Sequence, residues 1–269
     1  MTTSNKRTIP RAMTIAGADS GGGAGIQADL KTFSALGVFG TSCITAITAQ
    51  NTVGVRGIHE IPEELIADQI TCVLEDIGAD AVKTGMLSSI GIVETVSTEL
   101  SKHDVANLVV DPVMIAKSGD ALLKSEAVQA VRDLMLPLAT VVTPNVPEAE
   151  VLTELNINSI EDMKAAAKAL VGMGCNAAVV KGGHMMGPAS DLLYDGSEYH
   201  VFSVERIDTV NTHGTGCTFA SAIAAGLAKR LTLYESVSEA KQYITEAIQS
   251  EFNIGKGHGP LNHFHRFWE

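Results

Sequence analysis

The sequence predicts one α/β domain built on a mainly parallel sheet covered on both faces, and three observations predict it. Short apolar runs near residues 13–18, 42–49, 81–87, 108–114, 140–143 and 177–180 alternate with segments whose apolar positions recur at helical spacing. The runs are continuous rather than alternating in polarity, which is how strands read when helices cover both faces of their sheet. With 45% apolar residues but only 4% aromatic, the core has to be filled by Val, Ile, Leu and Ala. No internal repeat or linker divides the 269 residues, so residues 12–269 read as one domain behind a polar, disordered tail of residues 1–11.

Charge and cysteine usage exclude several functions. A net charge of -12 without any Lys or Arg cluster argues against nucleic-acid or anionic-membrane partners. Phosphate binding then has to be local and helped by a divalent cation. Cys43, Cys72, Cys175 and Cys217 form no Cys-x-x-Cys pair, which points to reduced thiols of the cytoplasm rather than zinc or disulfides. No apolar run approaches the roughly 18 residues of a membrane span, and the start of the chain lacks the apolar stretch of a signal peptide.

Taken in order, Met13–Ala18 is a strand, Asp19–Gly25 a glycine turn and Ile26–Leu36 a helix. Gly23, Gly25 and Ala28 satisfy the dinucleotide fingerprint, but no acidic residue stands about 20 positions on to hold a ribose. The turn therefore reads as closing over a smaller ligand. Ser42–Asn51 is a β-branched strand ending in two amides. Gln50 offers a donor beside an acceptor, matching an aminopyrimidine edge, or else serves as a turn cap. A helix follows over Pro62–Ile77, then a strand over Ala81–Leu87 and a helix to about Lys102.

Three further strands each deliver polar groups to their carboxyl ends, where ligands gather in open parallel sheets. Leu108–Met114 brings Asp111, with Lys117–Asp120 as the loop beyond. Thr140–Glu148, stopping at two prolines, brings Asn145 and Glu148, and Ala177–Gly183 brings Lys181. Each alone reads as a solvated or structurally paired charge, but their shared location favours a polyphosphate and metal site. Asp191–Gly196 and Tyr199–Glu205 form a small β-hairpin.

After the hairpin, Gly214 and Gly216 let a ligand approach the backbone, and the amides from Thr215 to Thr218 lie at the positive end of a small-residue helix. This turn reads as an anion cradle, or as a plain glycine turn before a buried helix. A last helix spans about Leu233–Phe252. In the tail His258, His263 and His265 lack the partners of a metal site, whereas Phe264, Phe267 and Trp268 suit docking on the body.

Taken together, residues 16–29, Thr48–Thr52, Lys83–Met86, Asp111–Gly119, Thr143–Glu148, Val180–His184 and Asn211–Cys217 resemble the bacterial hydroxymethylpyrimidine and phosphomethylpyrimidine kinases of thiamin synthesis. The motifs follow the family's order across residues 12–268. The resemblance implies a ribokinase-like three-layer α/β/α sandwich, usually a homodimer, that uses ATP and Mg²⁺ twice: on a hydroxymethyl oxygen and then on the resulting monophosphate. By matching motif, Gly17, Asp29, Gln50, Met86 and Val113 would surround the pyrimidine. Asp111, Asn145, Glu148, Lys181 and Thr215 would handle ATP, with Asp111 and Glu148 serving the metal, Glu148 through water. Gly214, Thr215, Gly216 and Cys217 would form the anion hole and catalytic turn.

Cys217 stands where ribokinase relatives commonly carry an Asp base, and Ser20 where related sequences often have Pro. A thiol at a helix N-terminus can have its pKa lowered from about 8.5 toward neutrality, which would suit it to take an alcohol proton. Two rival readings stand beside the kinase of pyrimidines. One is a pyridoxal kinase, against which Gln50 argues. The other is a non-catalytic pyrimidine sensor, prompted by the thiol but at odds with Asp111, Glu148 and Lys181 together.

Overall fold

The structure is a computed structural model that describes residues 8–114, 125–183, 185–250 and 252–268. Within it the β-branched runs form one nine-stranded sheet. The strands are β1 (Arg11–Asp19), β2 (Phe39–Gln50), β3 (Val55–Glu60), β4 (Ala81–Thr84), β5 (Leu108–Val110), β6 (Val141–Val142), β7 (Ala178–Lys181), β8 (Ala189–Tyr194) and β9 (Tyr199–Val204). They lie in the order β3-β2-β1-β4-β5-β6-β7-β8-β9. Pairing is parallel from β2 to β7, and β3, β8 and β9 join by antiparallel pairing at the two ends.

Helices α1 (Gly25–Ala35), α2 (Glu63–Asp76), α3 (Ile90–Lys102), α4 (Ser125–Ala130), α5 (Val146–Thr153), α6 (Ile160–Gly172), α7 (Thr215–Ala228) and α8 (Leu233–Gln249) cover both faces. Successive strand residues point to opposite sides, which explains why apolar runs were continuous. Val109, Val141 and Val179 pack with Phe33, Ile223 and Tyr243 from α1, α7 and α8. Their neighbours Val110, Val142 and Val180 pack with Ile66, Val93, Leu152 and Leu170 from α2, α3, α5 and α6. The result is the predicted three-layer α/β/α sandwich.

Several boundaries differ from the sequence reading. β1 begins at Arg11, whose guanidinium meets Asp80 at 3.1 Å, so Arg11 belongs to the sheet rather than to a tail. β3 was unforeseen because it is a largely exposed edge strand, and an edge exposed in this way needs no apolar run. The hairpin β8–β9 extends the main sheet from β7. The strand expected over Thr140–Glu148 is only Val141–Val142, and Asn145 instead caps α5. Its side-chain oxygen accepts from Glu148 N at 2.9 Å while the Glu148 carboxylate accepts from Asn145 N at 2.8 Å. That reciprocal pair is a capping box. Loop Lys117–Asp120, His184 and residues 1–7 lie outside the described residues.

Beyond α8 the chain returns across the end of the sheet. Lys256 N and Gly257 N donate to Thr52 Oγ1 at 3.2 and 3.3 Å, and His213 N donates to Gly259 O at 3.1 Å. Thr218 Oγ1 lies 2.9 Å from His263 Nε2. The anchors of this segment are Leu261 and His263, both buried, whereas Phe267 and Trp268 remain exposed at 64% and 59%. The expected aromatic docking is thereby corrected. Trp268 meets the rings of Phe264 and Phe252, with centroids 5.6 and 5.9 Å away.

Candidate active site

The parallel strands direct their carboxyl ends, and the N-terminus of α7, to one edge of the sheet. Sheet order reverses between β1 and β4, the switch point at which open α/β sheets form a crevice. Gly17 lies there beneath the Met86 side chain. Val113 lines a recess with Gly85 and Asp111 at the ends of β4 and β5. Gln50 ends β2 on the same side, half-buried.

Asp29 occupies the floor of the crevice and is fully buried. Its carboxylate accepts from Thr14 Oγ1 and Ser221 Oγ, each at 2.6 Å, and from Lys83 Nζ at 3.0 Å on both oxygens. Four donor contacts engage it, so the direct pyrimidine contact implied by the resemblance is not presented here. The structure makes Asp29 the counter-ion of Lys83, a residue with no role in the sequence analysis. Burial pulls the Lys83 ammonium down, but Asp29, with Cys217 and Asp111, outweighs it and holds Lys83 above its ordinary value.

A second cluster sits at the ends of β5, β6 and β7. Lys181 Nζ donates to Asp111 Oδ1 at 2.9 Å, and Thr143 Oγ1 donates to the same oxygen at 3.2 Å. Glu148 is buried in the first turn of α5, where burial, reinforced by Asp111 and opposed by Lys181, pushes its carboxyl up to about 7. Burial also pulls Lys181 down, yet Asp111 and Glu148 hold it above its usual value. Asn145 contributes the α5 cap, its side-chain oxygen already engaged by Glu148 N. Two carboxylates thus face one ammonium.

The glycine turn before α7 closes the site. Gly214 has φ +83°, and a Cβ there would collide with Gly23 O, so the two glycine turns of the chain lie against each other. The first turn therefore packs on the second instead of closing over a ligand alone. A Cβ on Gly216 would lie 3.2 Å from Lys181 Nζ and 3.8 Å from Asp111 Oδ2, which places this backbone directly over the second cluster. The Thr215 hydroxyl donates to Thr212 O at 2.6 Å and braces the turn. The opening N–H groups of a helix have no helical partners, so this end of α7 suits an anion.

Cys217 follows in that first turn, between the two clusters. Burial, with Asp29 and Asp111 adding to it, pushes its thiol up to about 11 against the pull of Lys83 and the Gly25 N–H. The expected thiol of near-neutral pKa is corrected.

One pair escaped the sequence reading. Asp19 Oδ2 accepts from Gly23 N at 3.0 Å and Ala24 N at 2.8 Å and lies 2.9 Å from His213 Nε2, while Oδ1 accepts from Gly21 N at 2.8 Å. Burial raises Asp19, but the bonds from His213 and these amides outweigh it and hold the carboxyl below its usual range. An Asp followed by glycines carries a turn signal; His213 becomes visible only when residues 194 positions apart meet.

Among the described residues no group of three or more His, Cys, Asp or Glu forms a metal cage. Mg²⁺ characteristically uses one or two carboxylates together with substrate phosphates and water. The oxygen donors and surplus negative charge of Asp111 and Glu148 fit that requirement.

Known proteins are similar to this chain in sequence and fold. The phosphomethylpyrimidine kinase family matches residues 19–262. A hydroxymethylpyrimidine/phosphomethylpyrimidine kinase of Streptomyces coelicolor is 52% identical over 256 residues, covering 95% of each chain. The crystal structure of a phosphomethylpyrimidine kinase from Clostridium difficile is 46% identical with a TM-score of 0.81, covering 90% of this chain and 100% of that one. An ADP complex of Bacillus subtilis pyridoxal kinase is 40% identical with a TM-score of 0.89, covering 95% of this chain and 98% of that one.

Proposed function

The chain belongs to the phosphomethylpyrimidine kinase family, and on that premise we propose that it phosphorylates 4-amino-5-hydroxymethyl-2-methylpyrimidine and then the monophosphate, using ATP, in thiamin biosynthesis. It is a phosphotransferase of ribokinase-like fold. The observation that carries the site reading is the meeting of Gly216 with the Asp111–Lys181 pair, at the same sheet edge as Gln50.

In this reading Gln50 pairs with the pyrimidine edge, Gly17, Met86 and Val113 enclose the ring, and Asp29 supports them from below. Lys181, Thr215 and the α7 amides meet the ATP phosphates, with Asn145 holding Glu148 in place. Mg²⁺, held by Asp111 and by Glu148 through water, would supply charge neutralisation for the polyphosphate. Phosphoryl transfer asks chiefly for positioning and charge stabilisation, which the turn Gly214–Cys217 and Lys181 provide. Cys217 takes the alcohol proton only in its ionised form, so its contribution falls at the low end for a general base. The monophosphate arrives mostly as a dianion, since its second pKa is about 6, and brings no proton to remove.

The proposal extends to a cytoplasmic homodimer. Exposed Ile47, Val53 and Ile58 around β2 and β3 support a partner surface, and free cysteines support a reducing compartment. No helix among the described residues is long and apolar enough to cross a membrane. A second reading, phosphorylation of pyridoxal-type vitamers, draws on the likeness to the pyridoxal kinase. ADP release measured with the aminopyrimidine, its monophosphate, pyridoxal and no acceptor tests all of this. Release with both pyrimidines is the expected result; release with pyridoxal alone overturns the substrate, and release with none favours a sensor.

A further inference from the structure

Gln50 is held by its backbone from one side and by its side chain from another. Ser20 Oγ donates to Gln50 O and accepts from Gln50 N, both at 2.8 Å, a clasp that proline at position 20 could not make. One end of the carboxamide lies 3.2 Å from Thr48 Oγ1 and the other 3.4 Å from His213 Nε2. Which end is oxygen and which nitrogen is settled by what those neighbours can exchange.

A hydroxyl has one proton. Thr48 Oγ1 already donates to Ala18 O at 2.9 Å, so with the Gln50 oxygen beside it that proton would have to serve two acceptors. On the other side, His213 Nε2 lies 2.9 Å from Asp19 Oδ2, a carboxylate oxygen that only accepts, so Nε2 carries hydrogen. An amide nitrogen facing it would set N–H against N–H. A half-turn of the carboxamide leaves the Thr48 proton to Ala18 O alone, with the Gln50 amide N–H donating to Thr48 Oγ1, and it replaces the opposed N–H groups by one His213 N–H shared between Asp19 Oδ2 and the Gln50 oxygen. The turned orientation leaves one shared proton, the other a shared proton and two opposed donors, and that difference selects the first.

We infer that Thr48 and the Asp19–His213 pair lock the Gln50 carboxamide in one orientation, so that the site accepts an aminopyrimidine edge and rejects the corresponding oxopyrimidine. The inference rests on the pyrimidine-kinase reading. A free glutamine can turn over to match either edge, because an amino group beside a bare ring nitrogen and a carbonyl beside a ring N–H are mirror patterns of donor and acceptor. The locked amide matches only the first. It also fixes direction: the exocyclic amino group meets the oxygen on the His213 side. The hydroxymethyl group, which neighbours that amino group on the ring, then points toward the turn that His213 begins. Selection and aiming come from the same two contacts, with Thr48 and His213 acting as positioning residues.

The test compares kcat and KM for the 4-amino substrate and its 4-oxo analogue at saturating MgATP. The wild-type protein should favour the amino form by at least ~10²-fold in kcat/KM, as sites with buried hydrogen-bonding groups do. Thr48→Val should lower that ratio by about tenfold, the worth of roughly one hydrogen bond, through KM and without altering KM for ATP. Thr48→Ser should restore it. His213→Leu should lower the ratio similarly, and His213→Gln, which keeps a donor, should recover part. Unchanged ratios in Thr48→Val and His213→Leu overturn the lock, as does a wild-type protein that uses both pyrimidines equally. Should circular dichroism show one variant unfolded, the ratio of the other decides. A wild-type protein that phosphorylates pyridoxal and neither pyrimidine overturns the pyrimidine reading itself, and the lock with it.

Discussion

Two buried charge clusters lie on either side of Cys217, and they differ in how completely they are matched. Asp29 and Lys83 form a one-to-one pair whose carboxylate oxygens are further occupied by Thr14 and Ser221. Asp111, Glu148 and Lys181 set two carboxylates against one ammonium, beneath a glycine backbone. The matched pair has little left to offer a ligand and behaves as framework. The unmatched trio would gain from an added cation, and that deficit, rather than the presence of charge, is what supports it as the proposed ATP and metal site.

Breaking the matched pair should produce the largest change. Lys83→Met leaves Asp29 charged and enclosed, so unfolding in urea should show a loss of about 3–5 kcal/mol, with part recovered in Lys83→Met/Asp29→Asn. Lys181→Met should cost far less stability, because Glu148 can take up a proton, while phosphotransfer falls. Equal losses of stability in the two variants would erase the distinction between the clusters.

Cys217 tests the boundary between them. Cys217→Ala should slow the first phosphorylation by about 10²-fold and the second far less, measured with each purified acceptor separately. Cys217→Asp should retain the first step and harm the second, since a fixed carboxylate repels a dianionic acceptor. If Cys217→Ala reduces both steps alike, the thiol is part of the packing between clusters and handles no proton.

The smallest expected effect is also the most diagnostic of mismatch. In the folded protein Glu148 is pushed up to about 7 from an ordinary 4.5. As pH rises through that window the unfolded chain gives up its proton first, so stability falls between those values and the full penalty stands above the upper one. Glu148→Gln should then stabilise the ligand-free protein by ~1–3 kcal/mol at pH 8 and by nothing near pH 4, while weakening MgATP use. Thermal unfolding at both pH values reads the difference, and a destabilised variant at pH 8 would mean the trio is matched after all.

What the sequence made legible follows this division. The apolar runs yielded the central strands and the layered fold because burial on both faces writes itself into every residue. Edge strand β3 left no such mark. Asp111 and Lys181 are recognisable as strand-end charges, and Asn145 with Glu148 carries the spacing of a capping box, which the neighbouring β-branched run of Val141 and Val142 obscures. Asp29 and Cys217 were found by resemblance, but their surroundings were not: Lys83 is contributed by β4, Ser221 by α7 and Thr14 by β1. Whether a carboxylate is spent on its own protein is a tertiary fact.

The returning segment at residues 255–265 has a consequence for how the molecule comes into being. Gly257 holds Thr52 across 205 positions, and the same segment supplies the acceptor for His213 N and the side-chain partner of Thr218. During synthesis Gln50 and the α7 turn leave the ribosome before the residues that clasp them together. Closing so long a loop is among the slowest kinds of contact a chain makes. A nascent chain therefore carries the residues of the candidate site before it carries the segment that joins Thr52 to the α7 turn.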